Sequence, residues 1–193
     1  MSATGRGRDR NPRDFYRTPA WCVDALLNVE GLLADVFDPA CGDGAILAAI
    51  QAHGAGHTVH AQELDHAVAL KASQRLRSPV AVGDSLDESA CWPDADVVMN
   101  PPYRQAADFV RRALQEVPPR GKVCALMRLN FLGSSRTRLD IVGPSSQLAR
   151  VLVLPKRPSF TGDGRSDACE YAWMIWQAEH RGPAEVRVLN VVS

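Results

Sequence analysis

DVFDPACGDGAILAAI, residues 35 to 50, reads as three units in succession: a short apolar run, a turn carrying two glycines, and an apolar stripe of helical period. A strand over DVFDP and a helix over GAILAAIQAH are expected. Gly42 and Gly44 remove side chains where the backbone has to turn tightly, so a ligand can approach main-chain donors at the helix start. A strand, a Gly-x-Gly turn and a helix also describe an ordinary left-handed turn, so the stretch acquires meaning only from its surroundings.

The pattern repeats on both sides. Downstream lie strand candidates TVHAQEL, PVAVGD, DVVMN and KVCALMRL, with helix-length segments AVALKASQRL and AADFVRRALQEV among them. Upstream, TPAWCVDALL offers Thr18 as an N-cap and Pro19 as the first helical residue. Nearly continuous apolar strands separated by helices predict an α/β architecture, a mostly parallel sheet with helices on both faces. After residue 147 the rhythm changes. ARVLVLP, YAWMIWQ and EVRVLNVV follow one another without a helix, which predicts a hairpin-like return and an antiparallel strand near the C-terminal edge. No repeat or linker divides the chain, so one domain over 15–193 is expected, preceded by a flexible basic arm over 1–14.

The 193 residues carry 22 Lys and Arg against 22 Asp and Glu, a balance that conceals an asymmetry. Residues 18–99 hold three basic against twelve acidic side chains, whereas residues 104–165 hold twelve against four. A basic excess downstream of a candidate site suits a polyanionic partner, because phosphate neutralisation dominates nucleic-acid affinity. Cys22, Cys41, Cys91, Cys124 and Cys169 form no CxxC pair, and no cluster has zinc-ligand spacing, so no metal is expected. Scattered thiols, the lack of a signal peptide and the lack of a membrane-length apolar run predict a soluble cytoplasmic protein.

Two acids strengthen the glycine turn. Glu63 ends the second strand about twenty residues on, the position at which nucleotide-binding sheets receive ribose hydroxyls. Asp84 ends the next strand, and Asn100, Pro101, Pro102 and Tyr103 end the fourth. All fall at the carboxyl ends of parallel strands, where such sheets bind ligands.

DPACGDGAIL, Glu63, Asp84 and NPPY, in that order, resemble the class I S-adenosylmethionine-dependent methyltransferases, in particular those that methylate the N6 amine of adenine in DNA. FYRTPAWCVDALL is similar to the segment that precedes the glycine motif in the gamma-type order. RLNFLGSSR followed by KRPSFTGDGRSDACEYAWMIW resembles the small phage-borne members. The match runs from about Phe15 to Trp176. It implies a Rossmann-like, seven-stranded methyltransferase sheet and S-adenosyl-L-methionine as cofactor. It also implies the cytoplasm of a bacterial or phage-infected host cell. Gly42 and Gly44 would face the methionine part, Glu63 the ribose and Asp84 the cofactor adenine, with Tyr16 and Thr18 closing the methionine end. Asp38, Ala40, Leu64 and Ser85 belong to the same implied set. Gamma-type enzymes usually add a target-recognition domain after the catalytic one, and this sequence ends at Ser193, so low or short sequence specificity is expected.

The chemistry of the motif can be argued from its residues. The lone pair of an adenine amine is delocalised into the ring, so the nitrogen is a poor nucleophile. Asn100 and the Pro101 carbonyl can each accept one amine hydrogen and favour a pyramidal nitrogen. The prolines fix φ and withhold competing N–H donors. Tyr103 can replace the stacking that a base loses when flipped out of double-stranded DNA. Phe160 is a candidate for the other face of that base, against the alternative of a core phenylalanine. Arg128, Arg136, Arg138 and Arg157 are candidates for phosphates. The same site would serve an RNA adenine or a glutamine amide, and a non-catalytic cofactor-binding module is the rival from another class.

Overall fold

The computed structural model describes residues 17–54, 56–133, 135–160 and 166–190. The expected arm over 1–14 and the candidate Tyr16 lie outside these residues. Among the described residues there are eight strands: β1 Asp35–Asp38, β2 Thr58–Glu63, β3 Ala81–Val82, β4 Asp96–Met99, β5 Lys122–Arg128, β6 Leu148–Val153, β7 Tyr171–Gln177 and β8 Glu185–Val188. Five α-helices accompany them: α1 Ala20–Leu27, α2 Ala45–Ala52, α3 His66–Leu76, α4 Ala106–Glu116 and the single turn α5 Leu139–Val142, with short 3-10 helices at Leu129–Leu132 and Arg136–Arg138.

The strands make one sheet in the order β3-β2-β1-β4-β5-β7-β6-β8. β7 runs antiparallel to both its neighbours, β5 and β6, while β8 is parallel to β6. The expected count of seven is therefore corrected to eight. The return strand also lies inside the sheet, with β6 and β8 beyond it. Burial explains that order. Every residue of β7 except Gln177 is buried, so the strand needs neighbours and cover on all sides. All four residues of β8 are exposed, which suits an edge.

Alternation along the strands feeds two apolar layers. Val98, Leu126, Leu152 and Trp173 pack with α1, α2 and α3 on one face. Val97, Met127, Val151 and Trp176 pack with α4 and α5 on the other. Both tryptophans of β7 are fully buried, with Trp173 donating to the Cys22 carbonyl and Trp176 to that of Ile141. α3 starts on Asp65, whose carboxylate accepts from the Ala67 and Val68 amides, a side-chain N-cap.

One helix start departs from expectation. α1 is capped by the Pro19 backbone, with no side-chain cap. Thr18 is only 4% exposed, and its hydroxyl accepts from Asn100 Nδ2 at 3.1 Å. An exposed cap would have left that hydroxyl in solvent; here it serves a side chain 82 residues away.

Polar groups lock the amino edge of the sheet. The buried Asp96 carboxylate accepts from the amides of Leu33 and Lys122, each at 2.7 Å, and burial raises its pKa. Glu30, 8% exposed, meets Lys122 Nζ at 2.7 Å and Arg150 Nε at 2.8 Å. These contacts tie the entries of β1, β5 and β6 together, and the loops that shape a cavity open at the opposite edge.

Candidate active site

That opposite edge holds a cavity of about 570 Å³. Of the residues read from sequence, Thr18, Asp38, Ala40, Gly42, Glu63, Leu64, Asp84, Ser85, Asn100 and Pro102 line it. They come from the ends of β1, β2 and β4 and from the turns after β3 and before α1. Arg17, Cys41, Asp43, Asp65, Gly83, Arg104, Gln105 and Phe109 also contribute and were not singled out in the sequence. Asp43 carried a readable signal, since it lies between the two glycines. It is clasped by Arg75 at 2.8 Å and Arg17 at 3.4 Å.

The glycine turn is built around Glu63. Its Oε2 accepts from the Gly42 amide and its Oε1 from the Asp65 amide, both at 2.9 Å. The carboxylate thus fixes the turn after β1 and its own departure from β2 together. Asp38 is buried beside it, accepting from the Ala40 amide at 3.1 Å. Burial, with the Glu63 charge adding to it, pushes the Asp38 carboxyl up to about 8. Ser85 Oγ donates to the Pro39 carbonyl at 2.6 Å and draws the turn after β3 over the β1 end. Leu64, 69% exposed, and the exposed Asp84 stand at the rim.

Gly42 and Gly44 separate in role. Gly42 (φ 54) lines the cavity and donates to Glu63. Gly44 (φ 77) is the N-cap of α2, and a Cβ there would lie 3.1 Å from Leu76 Cγ. It lets α2 approach α3 and does not line the cavity. Both positive φ values favour glycine.

The NPPY segment divides in a similar way. Asn100 lines the cavity with its amide plane set by the bond to Thr18. Pro101 is buried. Tyr103 leans away toward β5 and β7, where its hydroxyl donates to Tyr171 Oη at 3.1 Å and the Arg128 guanidinium carbon lies 4.5 Å over its ring.

Phe160 is 8% exposed within the core, with its ring 5.0 Å from that of Tyr171 in an edge-on arrangement. Tyr171 therefore packs against both Tyr103 and Phe160, and the structure does not bring those two rings face to face across an open slot. The arginines also differ. Arg128 joins the tyrosine network, Arg157 pairs with Glu170, and Arg138 donates to the Gly133 carbonyl over the Phe131 ring. Arg136 is exposed. Among the described residues no group of His, Cys, Asp and Glu is arranged to hold a metal ion, and no helix is long and apolar enough to cross a membrane.

No family model matches the chain, and no curated protein matches it. Solved structures do. The EcoKI M protein of a type I restriction enzyme superposes with a TM-score of 0.67 at 14% identity, over 92% of this chain and 49% of that one. A protein from Listeria monocytogenes described as a class I S-adenosylmethionine-dependent methyltransferase gives 0.61 at 16% identity, over 90% and 63%. A protein from Pyrococcus horikoshii described as an RNA methyltransferase gives 0.62 at 18%, over 86% and 87%. The chain thus spans only 49% and 63% of the first two. At such identities the likeness establishes the fold: α/β, Rossmann-like, of the kind these methyltransferases share.

Proposed function

We propose that this chain transfers a methyl group from S-adenosyl-L-methionine to the exocyclic N6 amine of adenine in DNA. The observation that carries the reading is the place of Asn100. Its side chain lines the same cavity as Gly42, Glu63 and Asp84, and Thr18 holds it there.

The cavity suits the cofactor chemically. About 570 Å³ lies within the roughly 300–1,000 Å³ usual for small-molecule sites. A ligand bearing a sulfonium, an ammonium and a ribose diol meets Asp38, Asp43, Glu63 and Asp84 against only Arg17 and Arg104. Glu63 would receive the ribose hydroxyls beside its two amide donors, since carboxylate oxygens accept more than one hydrogen bond each. Leu64 and Val68 offer apolar surface for a purine. When bound, S-adenosylmethionine supplies an electrophilic methyl group.

The acceptor amine is prepared by the chain. Asn100 Oδ1 and the Pro101 carbonyl hold its two hydrogens, which draws the lone pair out of the ring toward the cavity. The Thr18 hydroxyl fixes the amide plane, so this orientation exists before substrate arrives and needs no strong base. Arg104, exposed at the cavity, would meet a phosphate of an extruded nucleotide. DNA is favoured by the resemblance of the whole motif order and by the likeness to the EcoKI M protein. Bases beside the target would be read by the segments 129–148 and 156–170.

Incubation with methyl-labelled cofactor and separate DNA, RNA and protein acceptors, followed by digestion to nucleosides or amino acids, tests the proposal. Labelled N6-methyldeoxyadenosine is expected. Label in RNA alone or on glutamine would move the reading to that acceptor, and a folded, cofactor-binding chain that labels nothing would remove catalysis altogether.

A further inference from the structure

Tyr103, Arg128 and Tyr171 stand at the same edge of three adjacent strands. Tyr103 follows β4, Arg128 ends β5, and Tyr171 opens β7 as the register partner of Arg128. The Tyr171 hydroxyl accepts from Tyr103 Oη at 3.1 Å and from Arg128 Nε at 3.0 Å, and it donates to Asp167 Oδ2 at 3.0 Å. A hydroxyl has one donor and two acceptor sites, so all its capacity is used. The Tyr103 O–H is thereby aimed at one atom, while Arg128 backs one face of its ring at 4.5 Å.

We infer that Tyr171, through this shared hydroxyl, is a positioning residue that sets the angle at which the Tyr103 ring receives the acceptor base. The inference rests on the acceptor chemistry proposed above. A tilt of the Tyr103 ring would break either the hydroxyl bond to Tyr171 or the Arg128 contact. Tyr171 is fully buried and braced edge-on by Phe160. Burial holds its phenol up to about 12, so it donates to Asp167 at any working pH. Arg128 thus acts behind the ring, and Phe160 acts one layer further back.

A staple that merely fastened the segment before β7 would affect stability alone. Positioning makes a different demand on kinetics. Tyr103→Phe and Tyr171→Phe each keep the ring and delete one end of the same O–H···O contact. Each should lower kcat on a DNA duplex roughly five- to hundredfold, the range for losing a bond and stranding its partner. S-adenosylmethionine affinity should stay within about twofold, since neither residue lines the cavity. The double variant should be no slower than the slower single one, because both changes remove one interaction. Singles that match wild type in kcat, or losses that multiply in the double variant, would overturn the inference. If Tyr171→Phe fails to fold, the pair Tyr103→Phe and Asp167→Ala reads the same chain of bonds, with the same coupling expected. A wild type that labels no nucleic acid removes the proposed function and this role with it, whereas an active wild type with unaffected variants removes this role alone.

Discussion

Replacing Glu63 by Gln tests whether one side chain both shapes the glycine turn and binds the cofactor. The carboxylate takes the Gly42 amide on one oxygen and the Asp65 amide on the other, each at 2.9 Å. Glutamine offers one oxygen and one NH₂ group, so one of those amides must face a donor. Losing a charge-assisted hydrogen bond removes about 1.5–3 kcal/mol. In a domain of this size that lowers Tm by about 3–12 °C. The ribose hydroxyls lose a charged acceptor as well, and about 1–3 kcal/mol there raises the S-adenosylmethionine Kd roughly five- to 150-fold. Titration calorimetry near neutral pH, beside a thermal melt of unliganded protein, reads the two effects separately. A lower Tm with unchanged Kd would confine Glu63 to the turn. If both quantities match wild type, the argument from these two hydrogen bonds is wrong.

Asn100→Ala should lower kcat about a hundredfold or more while leaving cofactor affinity within a small factor, because its amide acts on the acceptor amine; near-normal turnover would reduce NPPY to a turn. Asp38 has a folded pKa raised to about 8, so its contribution to stability is full below the unfolded carboxylate range and is lost as pH rises through about 8. A cationic ligand favours the ionised form, so S-adenosylmethionine should bind more tightly as pH rises toward 8, releasing up to about one proton. Calorimetry in buffers of different ionisation enthalpy measures that release; zero protons, or an Asp38→Asn variant with the same pH profile, would refute it. Gly44→Ala places a Cβ 3.1 Å from Leu76 Cγ at φ 77 and should destabilise the fold by about 1–3 kcal/mol; an unchanged melt would show that α2 and α3 can yield.

The alternation of strands and helices was legible because each unit announces itself locally: continuous apolar runs, stripes of helical period, a glycine turn. The site residues at strand ends followed from the same units, since a parallel sheet places those ends together. The order of the last three strands was harder, because neighbour choice depends on which faces are already covered. Even so, the mixed EVRV and the wholly apolar YAWMIW carried the clue that one is an edge and the other is interior. Partnerships across long separations were beyond local reading. Thr18 looked like a cap until Asn100 came within 3.1 Å. Arg157 and Arg138 looked like phosphate ligands until Glu170 and Gly133 took them up. Phe160 left two readings open, and its burial against Tyr171 places it in the core.

Because β7 runs back against β6, with Val153 beside Ala172, the chain leaves and re-enters the sheet at neighbouring points on one edge. The intervening stretch, 154–170, therefore bridges almost no distance. Its length is a loose parameter, since doubling a flexible loop adds only about 0.6 kcal/mol of closure entropy. The stretch 129–147 has no such liberty. It must carry the chain from the end of β5 to the far edge, where β6 begins, and a deletion there pulls on both strands. Length changes among chains of this architecture should accordingly gather within 154–170, a tethered detour that tolerates them as long as Phe160 and Asp167 keep their contacts with Tyr171, while 129–147 holds its span.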